Sequence, residues 1–148
     1  MNLKDKINAD LKDAMKAGNK IRLETIRSIR ALILEFEKSG TGKEMSPEDE
    51  ISLLSSASKK RKDAVEQYEN AGRKELAEKE SAELEIIQSY LPEQLSPEKL
   101  FDQIKELAAE LNAVTKQDFK ILMPKAAQKF KGKADGKLIK EIVEKVLG

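Results

Sequence analysis

Lysines are concentrated in the last third of the chain, and such a concentration could form a surface that binds a polyanion. Residues 116–140 hold eight lysines and only two aspartates, although the whole chain of 148 residues has a net charge of +1. A local field attracts a polyanion whatever the net charge of the protein, so this segment is a candidate nucleic-acid surface. A solvated helical face would show the same composition. The residues predicted to contact RNA are Lys125, Lys129, Lys131, Lys133 and Lys137.

A second basic run lies near the middle of the chain and consists of Lys59, Lys60, Arg61 and Lys62. One interpretation is a secondary basic patch that extends the first. The other is a helix that projects from the protein, so that its middle positions, Ser58 and Arg61, contact solvent. We favour the second interpretation, because most charge runs in helices are solvated faces.

The residue types that are missing exclude several classes of enzyme. The chain has no Cys, no His and no Trp. Ser-His and Cys-His nucleophilic pairs, imidazole bases and thiolate or imidazole metal sites are therefore excluded. The glycine-lysine stretches at residues 40–43 and 132–137 lack the spacing of a Walker phosphate loop. We predict no catalytic residue, no metal site and no cofactor.

The same composition bears on cellular location. The absence of cysteine fits a reducing compartment. The first residues carry interspersed acids and no apolar run, and nowhere are there 18 apolar residues in succession. These features predict a cytoplasmic protein with no membrane partner.

Apolar residues recur with helical spacing, and no alternation typical of strands occurs, which predicts an all-α protein. Start and stop signals such as Gly18-Asn19, Ser46-Pro47 and Ser96-Pro97 divide the chain into helices. The expected helices are residues 2–17, 20–38, 46–70, 74–89, 96–112, 115–130 and 136–147, with a loop at residues 39–43. In the first helix the predicted buried stripe is Leu3, Ile7, Leu11 and Met15.

The sixth helix positions most of the candidate lysines. It contains Pro124, which removes one backbone donor and is predicted to kink or split the helix near Met123. Met123, Ala127 and Phe130 are expected to point inward while the lysines face solvent. Asp135 is the predicted N-cap of the last helix.

A domain boundary is predicted at residues 92–95, where a proline follows the fourth helix. The expected domains are residues 1–92, a four-helix part, and residues 96–148, a small three-helix domain. The second domain contains all five candidate lysines.

Several longer motifs resemble one known family. They are Glu69-Asn70-Ala71-Gly72-Arg73, Glu83-Leu84-Glu85-Ile86-Ile87, Tyr90-Leu91-Pro92-Glu93-Gln94-Leu95, Met123-Pro124-Lys125 and Lys131-Gly132-Lys133-Ala134-Asp135-Gly136. With the N-terminal Ala14-Met15-Lys16 and the central basic run, they cover essentially the whole chain. The sequence resembles the YqeY family, also called the GatB/YqeY-domain family.

The resemblance implies a relation to tRNA-dependent amidation. The C-terminal domain is similar to the tail of the B subunit of the glutamine-dependent aspartyl/glutamyl-tRNA amidotransferase, a tail implicated in engaging tRNA. The resemblance also implies carbon–nitrogen ligase activity with glutamine as amido-N-donor, although no catalytic constellation is visible in the chain. The enzyme question therefore stays open, with the residues favouring no catalysis.

Three functions follow from these observations. The first is a non-catalytic protein that binds tRNA or another structured RNA through its backbone. The second is an accessory component of a carbon–nitrogen ligase, working with amidotransferase or tRNA-synthetase machinery. The third is a protein-interaction adaptor whose basic face only keeps it soluble. The sequence does not predict an oligomeric state.

Overall fold

The computed structural model describes residues 2–39 and 44–148, and its regular structure is helical. The prediction of an all-α protein is confirmed. Within the described residues the helices are α1 (Leu3–Ala17), α2 (Lys20–Lys38), α3 (Pro47–Asn70), α4 (Lys74–Gln88), α5 (Pro97–Leu111), α6 (Phe119–Lys129) and α7 (Gly136–Val146). A short 3₁₀ turn over Lys116–Asp118 precedes α6. Most of the predicted loop at residues 39–43 lies outside the described residues.

The helices begin where short polar side chains cap them. The Asn2 side chain accepts a hydrogen bond from the backbone N–H of Asp5 in α1, at 2.8 Å. Ser46 and Asp49 cap the start of α3 reciprocally, each side chain accepting from the other residue's N–H. These bonds satisfy backbone donors that have no partner inside the helix. The Ser46-Pro47 signal read from the sequence therefore places the start of α3 correctly, whereas the cap formed by Asn2 is an addition from the structure.

The helices fall into two groups that make most of their contacts internally, residues 1–91 and residues 92–148. The first unit contains α1 to α4 and the second contains α5 to α7. That each unit is a domain able to fold alone stays a prediction. No helix within the described ranges is both long enough and apolar enough to cross a bilayer.

The first unit has an aliphatic core, and two polar contacts fix its helices. The backbone N–H of Leu3 donates to the carboxylate of Glu50 at 2.8 Å. The hydroxyl of Tyr90 donates to the carboxylate of Asp10 at 2.6 Å. These bonds join the start of α1 to α3 and the middle of α1 to the residues after α4. The buried core residues are Leu3, Ile7, Ala14, Ile26, Ile29, Ile33, Leu54, Ala57 and Ile87.

The predicted stripe of α1 is wrong at its last position. Met15 is 56% exposed, and Ala14 is buried in its place. Because an α-helix has about 3.6 residues per turn, a stripe spaced by exactly four residues rotates around the helix by about 40° at each step. After three steps, Met15 has left the face that carries Leu3 and Ile7.

The second unit packs α5, α6 and α7 around Phe130, the largest of its fully buried side chains. Burial of each aliphatic or aromatic side chain contributes about 1.5–3 kcal/mol. This core fixes the positions of α6 and α7, and these helices carry exposed lysines on their other faces. Its buried residues are Leu100, Ile104, Leu107, Ala108, Ala113, Leu122, Ala126, Phe130, Ile139, Ile142, Val143 and Leu147.

Two expectations for the sixth helix need correction. The helix is not split near Met123, since α6 runs through Pro124 from Phe119 to Lys129; a kink at Pro124 stays a prediction. A proline in the interior removes one intrahelical hydrogen bond, and the other bonds of the helix keep it continuous. Ala127 is exposed, whereas Ala126 is fully buried. Ala126 lies four residues before Phe130 and so shares its face.

Candidate nucleic-acid interface

Two candidate lysines lie on α6. Lys125 and Lys129 are both exposed, and their spacing of four residues places them on one side of the helix. The buried face of α6 carries Leu122 and Ala126 instead. The Lys129 ammonium lies 5.7 Å from the centroid of the Phe130 ring, a weak cation–π contact. The prediction that these lysines face solvent is confirmed.

The basic turn, residues 131–133, connects α6 to the segment before α7. Lys131 and Lys133 are exposed, and Gly132 between them is buried with φ of +81°. That backbone conformation favours glycine. The turn closes through hydrogen bonds from the N–H of Lys133 and of Ala134 to the carbonyl of Phe130, at 2.9 and 3.3 Å. Two lysines thus flank a compact turn.

Lys137 is exposed in the first turn of α7, which begins after Asp135. Asp135 takes the predicted N-cap position, and its carbonyl accepts from the N–H of Ile139 at 3.0 Å. Its side chain makes no capping hydrogen bond within the described residues. The expected position of this cap is correct, but the expected side-chain contribution is not observed.

The other aspartate of the basic segment, Asp118, forms hydrogen bonds with neighbouring backbone groups. Asp118 accepts hydrogen bonds from the backbone N–H groups of Thr115 and Val114, at 3.0 and 2.8 Å. These two bonds, that of Thr115 first, lower the pKa of Asp118. Its charge therefore stabilises the turn before α6.

None of the candidate lysines of the second unit forms an ion pair within the described residues. Among the described residues, ion pairs are formed by Lys4, Arg61 and Lys79, and these three cations belong to the first unit. The positive charge of an exposed ammonium without a neighbouring carboxylate is not offset within the protein, so it can attract an incoming anion. The basic segment is therefore a source of positive potential.

The four residues of the secondary basic run differ in their exposure and in their partners. Lys59 and Lys60 are exposed, whereas Lys62 is half-buried. Arg61 turns toward α4, where its Nε lies 3.0 Å from the carboxylate of Glu83 and 3.5 Å from that of Glu80.

The expectation that the middle of α3 contacts solvent is wrong. Ser58 is only 4% exposed and Arg61 is half-buried, because α4 packs along this part of α3. Glu83 is itself 8% exposed. Local charge spacing did not reveal this pairing, since the two carboxylates come from a different helix.

Four acidic residues of α5 were not singled out from the sequence. Glu98, Asp102, Glu106 and Glu110 recur every four residues and are all exposed. This acidic stripe lies on the side of α5 opposite Leu100 and Ile104, as helical spacing requires. A polyanion is repelled from this stripe, so the second unit has a basic and an acidic surface. The spacing by four was visible in the sequence.

Gln94 belongs to the motif of residues 90–95, and the sequence alone predicts no role for it. Its side-chain amide donates to the carbonyls of Gly132 and Pro92, at 2.6 and 2.9 Å. The next residue, Leu95, donates its N–H to the carbonyl of Lys133 at 2.9 Å. Residues 92–95 therefore hold the basic turn. No local sequence signal links positions 38 residues apart.

A cleft of about 620 Å³ also lies in the second unit, lined by Lys116, Phe119, Glu141, Glu144 and Lys145 among others. The charges of its two glutamates and two lysines cancel, and none of the five candidate lysines lines it. The cleft is therefore separate from the candidate basic surface. Within the described residues no three His, Cys, Asp or Glu side chains are grouped to hold a metal ion.

Comparison with known proteins identifies relatives along nearly the whole chain. The protein is 32% identical over 146 residues to altered inheritance of mitochondria protein 41 of Pyrenophora tritici-repentis, covering 97% of this chain and 80% of that protein. Proteins of the same name from Clavispora lusitaniae and Lachancea thermotolerans are 37% and 38% identical. The matches cover 76% and 57% of this chain and 64% and 46% of those proteins.

The expectation of a cytoplasmic protein is contradicted by these relatives, whose names describe them as mitochondrial. The reasoning failed because neither the absence of cysteine nor the polar character of the first residues distinguishes the cytoplasm from the interior of an organelle.

A family model described as Yqey-like protein matches residues 4–147. This match includes the described helices of both units, apart from the first residue of α1, and the motifs on which the resemblance depended. The chain belongs to the YqeY family.

Proposed function

We propose that this protein binds tRNA or another structured RNA without catalysing a reaction. The proposed contact surface is formed by Lys125, Lys129, Lys131, Lys133 and Lys137. The observation that carries the proposal is that these lysines are exposed and form no ion pair within the described residues. Binding to phosphates releases the counterions of the RNA, which favours association.

The aromatic residues support contact with the RNA backbone. Proteins that bind single strands commonly stack bases on exposed aromatic rings. Of the six aromatic residues, all of which lie in the described part of the chain, Phe130 is buried and the other five are half-buried. Lysines recognise phosphates as point charges, and folded RNA is read largely by shape and backbone contacts. A structured RNA fits this surface better than a single strand.

The acidic stripe of α5 limits the orientation of the RNA. Glu98, Asp102, Glu106 and Glu110 would repel phosphates. The RNA would therefore approach the second unit from the side of the basic turn and α6. A role as accessory component of a carbon–nitrogen ligase stays a prediction from the family resemblance.

Charge reversal on the proposed surface tests the function. We expect the triple variant Lys129→Glu, Lys131→Glu, Lys133→Glu to bind tRNA more than about tenfold more weakly in filter binding near physiological salt, since each lost phosphate contact removes part of the counterion term. The helix content should be unchanged, because exposed lysines contribute little to stability.

A matched control separates position from net charge. Lys99, Lys105 and Lys145 are exposed lysines of the same unit that lie outside the proposed surface. Their replacement by Glu changes the net charge of the protein equally and should leave tRNA affinity within about threefold of the parent. Equal weakening in both triple variants, or unchanged binding in the first, would refute this surface, and no tRNA binding by the parent at low salt would favour the adaptor function.

A further inference from the structure

The basic turn is held from outside by residues 92–95. These residues precede α5 in the chain and lie beside the turn in the second unit. Two carbonyl oxygens of the turn, those of Gly132 and Lys133, accept hydrogen bonds from Gln94 and Leu95 at 2.6 and 2.9 Å. The backbone of the turn therefore points its acceptors at the protein, while the side chains of Lys131 and Lys133 remain exposed.

Gln94 supplies the side-chain hydrogen bonds of this contact, because the Leu95 bond uses the backbone. Its amide group also donates to the carbonyl of Pro92, at 2.9 Å. One half-buried amide thus joins two backbone acceptors that are far apart in sequence. An amide with two donor hydrogens can satisfy both carbonyls, which a carboxylate or an apolar side chain cannot do.

The turn needs such support. Gly132 has φ of +81° and no side chain to pack, and glycine has more backbone freedom to lose than any other residue. A turn that moved freely would have to be ordered when it bound a ligand, and ordering on binding reduces affinity. A turn already held in place does not carry that cost.

We propose that Gln94 is a positioning residue for RNA binding, which holds the basic turn so that Lys131 and Lys133 are presented together to the phosphates. This inference rests on the proposed function and adds a residue that does not itself contact RNA. It also gives a role to Gln94 and Leu95 within the motif of residues 90–95, which the basic surface alone does not explain.

The substitution Gln94→Met tests the inference, because methionine has a similar length and no hydrogen-bond donor. We expect tRNA affinity to fall about threefold to tenfold at fixed salt. The negative slope of log affinity against log salt should become shallower by about one, as for a lost phosphate contact. Gln67→Met, an exposed glutamine of α3, is the matched control and should match the parent in both measurements.

Hydrogen exchange provides a measurement that does not depend on RNA. In the free Gln94→Met protein, the amide hydrogen of Leu95, which is bonded to the carbonyl of Lys133, should exchange at least about tenfold faster than in the parent, because local opening becomes easier. If Gln94→Met does not fold, Gln94→Asn, whose amide is one carbon too short to reach, carries the same expectations.

The outcomes separate this inference from the proposed function. Faster exchange with unchanged RNA affinity would overturn the positioning role, and so would weaker binding with unchanged exchange. If the three-lysine variant loses RNA binding while Gln94→Met retains it, only the positioning role fails. If neither variant changes RNA binding, both proposals fail.

Discussion

Glu83 shows most clearly how a single side chain is affected by partners that lie far away in sequence. It is 8% exposed, and its carboxylate lies 3.0 Å from Arg61. Burial raises the pKa of Glu83, the neighbouring charge of Glu80 raises it further, and Arg61 opposes both effects. The two carboxylates share one guanidinium, so the charged form of Glu83 is not fully compensated.

The raised pKa of Glu83 has a consequence for the pH dependence of stability. The folded protein holds this proton more tightly than the unfolded chain, whose glutamates titrate near the ordinary value of 4.5. The contribution of Glu83 to the free energy of unfolding is therefore present below that pH and is lost as the pH rises through the folded-state pKa.

We expect Glu83→Gln to gain stability relative to the parent when the pH is raised from about 4 to about 7, because glutamine does not titrate. Urea unfolding at the two pH values measures this difference. Glu78→Gln, an exposed glutamate of α4, should show no such change. A stability difference for Glu83→Gln that is the same at both pH values, or that moves against the variant at neutral pH, would show this assignment to be wrong.

At the scale of elements, most helix ends follow from local signals. Asn2, Ser46 and Ser96 each accept a hydrogen bond from a backbone N–H in the first turn of the helix that follows. Gly18, with φ of +69°, ends α1. These contacts join residues within about four positions of one another, which is why the sequence predicts them well.

The faces of the helices are predicted less well than their ends. In α1 the buried position is Ala14 and not Met15, a shift by one residue, which changes the direction of a side chain by about 100°. In α6 Ala127 is exposed, whereas its neighbour Ala126 is buried. The choice between neighbouring residues depends on the helix that packs opposite. Contacts such as Gln94 with Gly132 depend on that packing entirely.

A comparison of two helix starts tests the importance of capping. Ser46 forms a complete capping box at α3, whereas the side chain of Asp135 makes no capping bond to α7 within the described residues. We expect Ser46→Ala to lower the free energy of unfolding by about 1 kcal/mol, and Asp135→Ala by clearly less. Chemical denaturation monitored by helix content measures both. Equal losses would contradict the assignment of these caps.

At the scale of the whole molecule, a net charge of +1 conceals a strong asymmetry. In the second unit, α5 carries the acidic stripe, and the basic turn, α6 and the start of α7 carry the candidate lysines. A field of this kind both attracts and orients an approaching polyanion. The sequence predicted the basic surface, and the structure adds the acidic one.

The second unit should fold without the first. Its helices surround a core of their own around Phe130, and both partners of the Gln94 contact lie within residues 92–148. We expect a fragment of residues 92–148 to be helical and to unfold cooperatively, since a domain has a core that does not depend on its neighbour. Circular dichroism during thermal unfolding measures this. A fragment without a cooperative transition would refute the predicted division into domains.

The dependence of tRNA affinity on salt tests the central claim most directly. If the five candidate lysines neutralise phosphates, log affinity should fall linearly with log salt with a slope of about −3 to −5. The three-lysine variant should have a distinctly smaller slope than the parent. An affinity that does not change with salt, or no binding of tRNA at low salt, would contradict RNA binding by this surface.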